Sequence, residues 1–145
     1  MMNRQDYLEY IDHFNNMRYD KVTGYFAPDI TVEYFDNAYG PYTPPRILHG
    51  SGEFAANYKA LHAHTREILE LWDFMSEGEL VFAELYTEFH TFKDPPEDSG
   101  RLWKKGDVTI MINWVMYNLN ENGRMKRIRI AHFRNNDPKT AKYRA

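Results

Sequence analysis

On the segment Met125–Arg134, Ile128, Ile130 and His132 recur at every second position, so on a strand they share one face. A histidine closing an apolar stripe has two readings. It is a core imidazole satisfied by a backbone carbonyl, or a general base, since an ordinary pKa of about 6.5 suits proton transfer near neutrality. The stretch FAPDITVEYF poses the same choice for Tyr34, which alternates with Ile30 and Val32. Its phenol is either satisfied inside a core or faces a pocket. A tyrosine pKa near 10 keeps it protonated at pH 7, ready to stabilise an oxyanion or protonate a leaving hydroxyl. Tyr10, on a helical apolar face, carries the same two readings. Asp36 continues the Tyr34 face and is either an inward carboxylate or the cap of a turn before Asn37.

On DVTIMINWVMYNL, Asp107, Thr109, Met111, Asn113 and Val115 share a face. Asn113 among aliphatics holds a substrate carbonyl or bonds within the core. Glu84, Tyr86, Glu88 and His90 alternate on ELVFAELYTEFHTF and form a tempting acid–base row. The opposite face, with Val81, Ala83, Leu85 and Phe89, is more apolar. The acidic row is therefore expected outside, solvated or in a dimer contact. His62 and His64 are two apart and do not share a helix face, and no carboxylates at ligand spacing join them, so no metal site is expected. The basic run RMKRIR places Arg127 and Arg129 on an outer strand face.

These groups need elements to hold them. Tyr7, Tyr10, Ile11, Phe14 and Met17 have helical spacing, and Tyr19, Val22, Tyr25 and Phe26 repeat it. A strand, ITVEYFD, follows. NAYGPYTPPR reads as a loop and ILHG as a short strand. Ser51 is placed to cap a third helix whose apolar face holds Phe54, Tyr58 and Leu61. TREILELWDFM and ELVFAELYTEFHTF are strands around a Ser76-Glu77-Gly78 hairpin, and two more strands flank Asn120-Glu121-Asn122-Gly123. The order predicts an α+β domain over 1–145. N-terminal helices pack on a strongly curved antiparallel sheet, a cone that encloses a pocket, and 136–145 is a frayed tail.

Composition agrees with a lined cavity. Of 145 residues, 16% are aromatic, including 11 Tyr, and buried Tyr and Trp need polar partners. There is no cysteine, which excludes disulfides and thiolate chemistry. A net charge of −3 gives no footprint for nucleic acid or an anionic membrane. The polar start MMNRQDYLEY has no signal-peptide core, and no apolar run is membrane-spanning, so a cytoplasmic protein is expected.

The run F-A-P-D-x-T-V-E after a helix, the H-G-x-x-x-F helix entry and the closing N-G-R-x-x-R-I-R-x-x-x-F hairpin resemble the SnoaL-like, nuclear transport factor 2-like superfamily over most of the chain. That superfold hosts isomerases, cyclases, dehydratases, epoxide hydrolases and binders. Tyr10 to Tyr34 resembles ketosteroid isomerase without a gap. The likeness sets Tyr10 at an oxyanion tyrosine, Tyr58 near a supporting tyrosine and His132 at a pocket wall. Tyr34 and Val115 stand where that family has its carboxylate base and its protonated aspartate. Trp72 to Glu79 and Lys105-Gly106 resemble scytalone dehydratase, whose pocket tyrosine falls on Tyr34 and whose histidine falls on Thr109. The resemblance implies cofactor-independent isomerase, cyclase or dehydratase chemistry on a small, largely apolar carbonyl metabolite of polyketide or terpenoid type. His132, Tyr34, Asp36 and Tyr10 would be catalytic. Asn113, Tyr58, Phe14, Thr109, Met111 and Trp72 would bind substrate. The alternative is a non-catalytic binding or association module of the same fold. A homodimer through Tyr86, Trp114 and Met116 on the outer sheet face is expected, with neither a cofactor nor a metal.

Overall fold

A computed structural model describes residues 1–36 and 40–144; the loop positions Asn37, Ala38 and Tyr39 lie outside the described residues. Helix α1 (Arg4–Asn15) starts with a capping box, Asn3 and Asp6 each accepting the other's backbone N–H at 2.8 and 3.0 Å. Its Tyr7, Tyr10, Ile11 and Phe14 are buried at the predicted spacing. A short α2 (Tyr19–Thr23) follows. Helix α3 (Gly50–His62) begins one residue before Ser51, so Ser51 lies inside it and does not cap it. Instead the Glu53 carboxylate, in the helix's first turn, accepts the His49 N–H at 2.9 Å.

Among the described residues six strands form one sheet in the order β2-β1-β6-β5-β4-β3, from β1 (Phe26–Phe35), β2 (Arg46–His49), β3 (Thr65–Glu77), β4 (Leu80–Thr91), β5 (Val108–Leu119) and β6 (Met125–Asn136). Strands β3 to β6 are the expected antiparallel meander. Strand β1 joins β6 in parallel, β2 pairs antiparallel with β1, and α3 leads from β2 to β3 at the opposite edge of the sheet. The β5–β6 turn works as its Asn-Gly signal requires. Gly123 has φ 77°, and Asn120 Oδ1 accepts from the Asn122 and Arg124 N–H groups. Helices α1 and α3 cover the concave face, where Val32, Leu85, Phe89, Val115 and Ile128 are buried. Among the described residues no helix is long and apolar enough to cross a membrane.

Two bulges redirect side chains. One sits in β3 between Leu71 and Asp73. Its extra residue, Trp72, stacks on Tyr86 (5.3 Å, 19°) outside the sheet. The other makes Phe133 the unpaired residue of β6, since Asn113 pairs with His132 and Ile112 with Arg134. Beyond it the facing parity reverses, and Asn135 lies opposite Met111 on the inner side.

The C-terminal segment corrects the expectation of fraying. Residues 137–144 fold back over the outer sheet face, where Ala141 and Tyr143 pack on Tyr86, Ile110, Ile112 and Trp72. A 3-10 turn (Pro138–Thr140) capped by Asp137 starts the return. The outer acidic row is correspondingly neither solvated nor free for a partner at its centre. Tyr86 is 2% exposed and the Glu88 side chain is wholly covered, both beneath this tail. Glu88 gathers four donors: Tyr86 Oη (2.5 Å), His90 Nε2 (2.7 Å), and the Lys142 and Tyr143 N–H groups (2.6 and 3.1 Å).

Candidate functional site

The cone encloses a cavity of about 270 Å³. Its apolar wall is drawn from every strand but β2 together with α1 and α3, including Phe14, Val32, Leu69, Leu85, Phe89, Met111 and Ile130. All four residues expected to be catalytic, His132, Tyr34, Asp36 and Tyr10, line it. So do Asn113, Tyr58, Phe14 and Met111. Trp72 does not, because it alternates with the inward Leu71 and stands on the outer face, where its indole N–H donates to Glu70. Thr109 shares the inner face, opposite Phe89, but stands beyond the cavity wall.

At the mouth, His132 Nδ1 lies 3.0 Å from Asp36 Oδ1 and Nε2 lies 2.8 Å from Asn135 Oδ1. Both contacts follow from strand geometry. Asp36 ends the Tyr34 face of β1 beside β6, and the Phe133 bulge brings Asn135 round to the same side. The Asp36 side chain is 76% exposed, so this dyad sits in contact with water.

Further in, the hydroxyls of Tyr34 and Tyr58 meet at 2.6 Å. Burial pushes the Tyr34 pKa up to about 12, partly offset by the Tyr58 hydrogen bond, and raises Tyr58 and Tyr10 well above the ordinary value. All three phenols therefore stay protonated and serve as donors. Thr87, wholly buried, also lines the cavity, and its Oγ1 has no hydrogen-bond partner among the described residues.

The deepest charge was not among the expected site residues. Glu67, at the start of β3, lines the cavity with its side chain 7% exposed. Its carboxylate lies 2.9 Å from His62 Nε2, and His62 Nδ1 lies 2.6 Å from Tyr19 Oη. A neutral His62 satisfies both bonds: its Nε2–H donates to Glu67, and its Nδ1 accepts from the tyrosine hydroxyl. Burial raises the Glu67 pKa, and the His62 hydrogen bond offsets this only in part. Burial in apolar surroundings gives a carboxyl more proton affinity than an exposed one, which suits it to take up and return a proton. The signal was present in the sequence. Counting back from Leu71 and Leu69 puts Glu67 on the inner face, as the same count put Tyr34 there.

Arg46, Asn57 and Arg101 complete the rim and were likewise missed. Arg46 donates to Asn57 Oδ1, and its guanidinium stands 5.5 Å from the Tyr34 ring centroid. Arg101 comes from the 92–107 segment, whose Trp103 packs on Phe89 at 4.9 Å. Among the described residues no three His, Asp or Glu side chains converge as a metal-ligand set.

No family model and no curated protein matches the chain. Solved structures do. A candidate polyketide cyclase from Xanthomonas campestris pv. campestris is 19% identical, over 86% of this chain and 84% of that one, with a TM-score of 0.66. An NTF2-like protein of unknown function from Burkholderia pseudomallei is 18% identical over 89% and 88%, with a TM-score of 0.67. An epoxide hydrolase/cyclase-like enzyme of pyran ring formation in the polyether salinomycin is 15% identical over 87% and 86%, with a TM-score of 0.62. The helices on a curved, unclosed six-stranded sheet and these neighbours together give the chain the fold of the nuclear transport factor 2-like, SnoaL-like superfamily.

Proposed function

We propose that the protein is a cofactor-independent acid–base enzyme that moves a proton next to a carbonyl of a small, largely apolar metabolite, as in an isomerase, cyclase or dehydratase. One observation carries the reading: an apolar cavity holds a buried carboxyl, Glu67, with a raised pKa, together with protonated phenols. Proton removal alpha to a carbonyl leaves charge on the carbonyl oxygen, and prearranged donors aimed at that oxygen supply much of the rate. In this reading Tyr34 and Tyr58 hold the oxygen, with Asn113 and Thr87 as further polar contacts. Glu67 is the base and gives the proton back to the substrate, or to water in the cavity, while His62, its Nδ1 accepting from Tyr19, holds the carboxylate in place. His132, steadied by Asp36 and Asn135, serves as the second acid–base group at the mouth. The neighbours named as cyclases support a small-molecule reaction of this type. A homodimer through the part of the outer face left open by the tail, around Trp114 and Phe133, belongs to the same proposal. These two rings stack at 4.1 Å and remain 39% and 51% exposed.

The test needs no knowledge of the natural substrate. A panel of apolar cyclic and aryl ketones is incubated with the protein in D2O, and deuterium entry at the alpha carbon is followed by NMR. Protein-dependent exchange that disappears in Glu67→Gln is expected. Ketones that bind without any exchange would identify a non-catalytic binder instead.

A further inference from the structure

The charges around the cavity do not balance by position. Its two acids each have an imidazole partner, Glu67 with His62 and Asp36 with His132. Its two guanidiniums, Arg46 and Arg101, have no carboxylate within ion-pair distance among the described residues. Arg46 is committed only to the neutral Asn57 and to the face of Tyr34. Among the described residues the Arg101 guanidinium has no hydrogen-bond partner; only its backbone N–H is held, by Ser99 Oγ at 3.3 Å. Burial lowers the Arg101 pKa and the neighbouring Arg46 charge lowers it further, while Glu67 acts the other way. Two cations brought together at the edge of an apolar cavity, with the local acids already engaged, are what an incoming anion would neutralise.

We infer that the ligand carries a carboxylate, held at the rim by Arg46 and Arg101, with an apolar body extending inward along Leu69, Leu85, Phe89 and Met111. This rests on reading the cavity as a small-molecule site. It adds the substrate class, an apolar keto acid or a similar carbonyl compound with an acidic end. The anchored carboxylate would fix which end of the molecule enters first and so which carbon meets Glu67. Arg46 and Arg101 are positioning residues in this scheme; neither transfers a proton.

The experiment is a calorimetric titration with 4-phenylbutanoate, its neutral amide 4-phenylbutanamide, and inorganic phosphate. Wild-type protein is expected to bind the acid about tenfold or more tightly than the amide, the ordinary worth of a charge-assisted contact. In Arg46→Gln and Arg101→Gln that preference should shrink toward parity while the amide binds as before, which also shows that the cavity has kept its shape. Equal binding of acid and amide, no binding of the acid, or a preference untouched by both substitutions would overturn the inference. Phosphate binding as tightly as the acid would also overturn it and make the rim a site for free inorganic anions. Catalysis is read separately. Glu67→Gln should abolish proton exchange yet retain the acid preference, so a protein that prefers the acid but exchanges no protons refutes the enzymatic reading alone.

Discussion

Changing Glu88 to Gln should release the C-terminal tail and destabilise the protein without touching the cavity. The carboxylate accepts from Tyr86, His90 and the Lys142 and Tyr143 backbone N–H groups. Burial alone would raise its pKa, but these donors outweigh burial and hold it at about 2, against an ordinary 4.5. At ~1.4 kcal/mol for each tenfold change in proton affinity, the carboxylate contributes about 3 kcal/mol at neutral pH. Its cover is a single layer of tail, and partial hydration brings the working figure to ~2–3 kcal/mol. Gln cannot substitute well, because its amide nitrogen must face donors and strands at least one buried N–H.

The sign follows from the depressed pKa. The contribution is complete above the unfolded-state value near 4.5 and is lost as pH falls through the folded value near 2. Urea unfolding of wild type and Glu88→Gln from pH 7 down to 2 should therefore show a gap that is full at pH 7 and closes toward pH 2. Should the tail leave before the rest unfolds, the global loss is limited to what tail docking contributes. Hydrogen exchange at the Lys142 and Tyr143 amides then reports the remainder. A gap below ~0.5 kcal/mol at pH 7, with those amides equally protected in both proteins, would refute the account of Glu88 as the tail's anchor.

In the ketone exchange assay, Tyr34→Phe should cost about 10²-fold in rate, since it removes one oxyanion donor and keeps the ring. His132→Ala should lower turnover while the unfolding midpoint stays close to wild type, because the imidazole sits at the open mouth beside an exposed Asp36. Exchange should rise with pH through a midpoint above the ordinary carboxyl value, the Glu67 base becoming active only when ionised; a flat profile would remove Glu67 from that role. Prior treatment with EDTA should leave the exchange rate unchanged, and a loss restored by added zinc would point to a metal. Light scattering at micromolar concentration should give a dimer that Trp114→Ser or Phe133→Ser weakens.

Alternation made much of this molecule legible. Ile30, Val32 and Tyr34 on β1 and Ile128, Ile130 and His132 on β6 needed only a period of two and one apolar face. The same rule sets Trp72 outside, one position from the inward Leu71, and it was the resemblance that drew it into the pocket. Alternation could not foresee Asn135 beside His132, since it lies beyond a bulge and one extra residue reverses the parity. Arg46 and Arg101 were hidden for a different reason. One stands at the first position of a four-residue edge strand and the other in a loop, where no periodicity says which way a side chain points. The tail was misread because NNDPKTAKYRA has the polar composition of a free end. Its docking depends on backbone N–H groups finding Glu88, a long-range match that no local pattern encodes.

The two buried glutamates show why residue type alone could not choose the site. Both lie on the same sheet and both have a histidine within hydrogen-bond distance. Glu88 is the more conspicuous in sequence, set in a row with Glu84, Tyr86 and His90, yet its four donors pin it as a permanent anion at any working pH. Such a group has too little proton affinity to serve as a base and no room left for a ligand. Glu67 sits among leucines, looks incidental in TREILELW, and has a single histidine donor against full desolvation. It lines the cavity, and burial raises its proton affinity. The comparison that decides between the two faces is therefore Glu67→Gln against Glu88→Gln. The first should end proton exchange with the tail still docked. The second should loosen the tail and lower stability while the surviving folded protein exchanges protons at the wild-type rate. Loss of exchange in folded Glu88→Gln, with Glu67→Gln fully active, would place the chemistry on the convex side of the sheet.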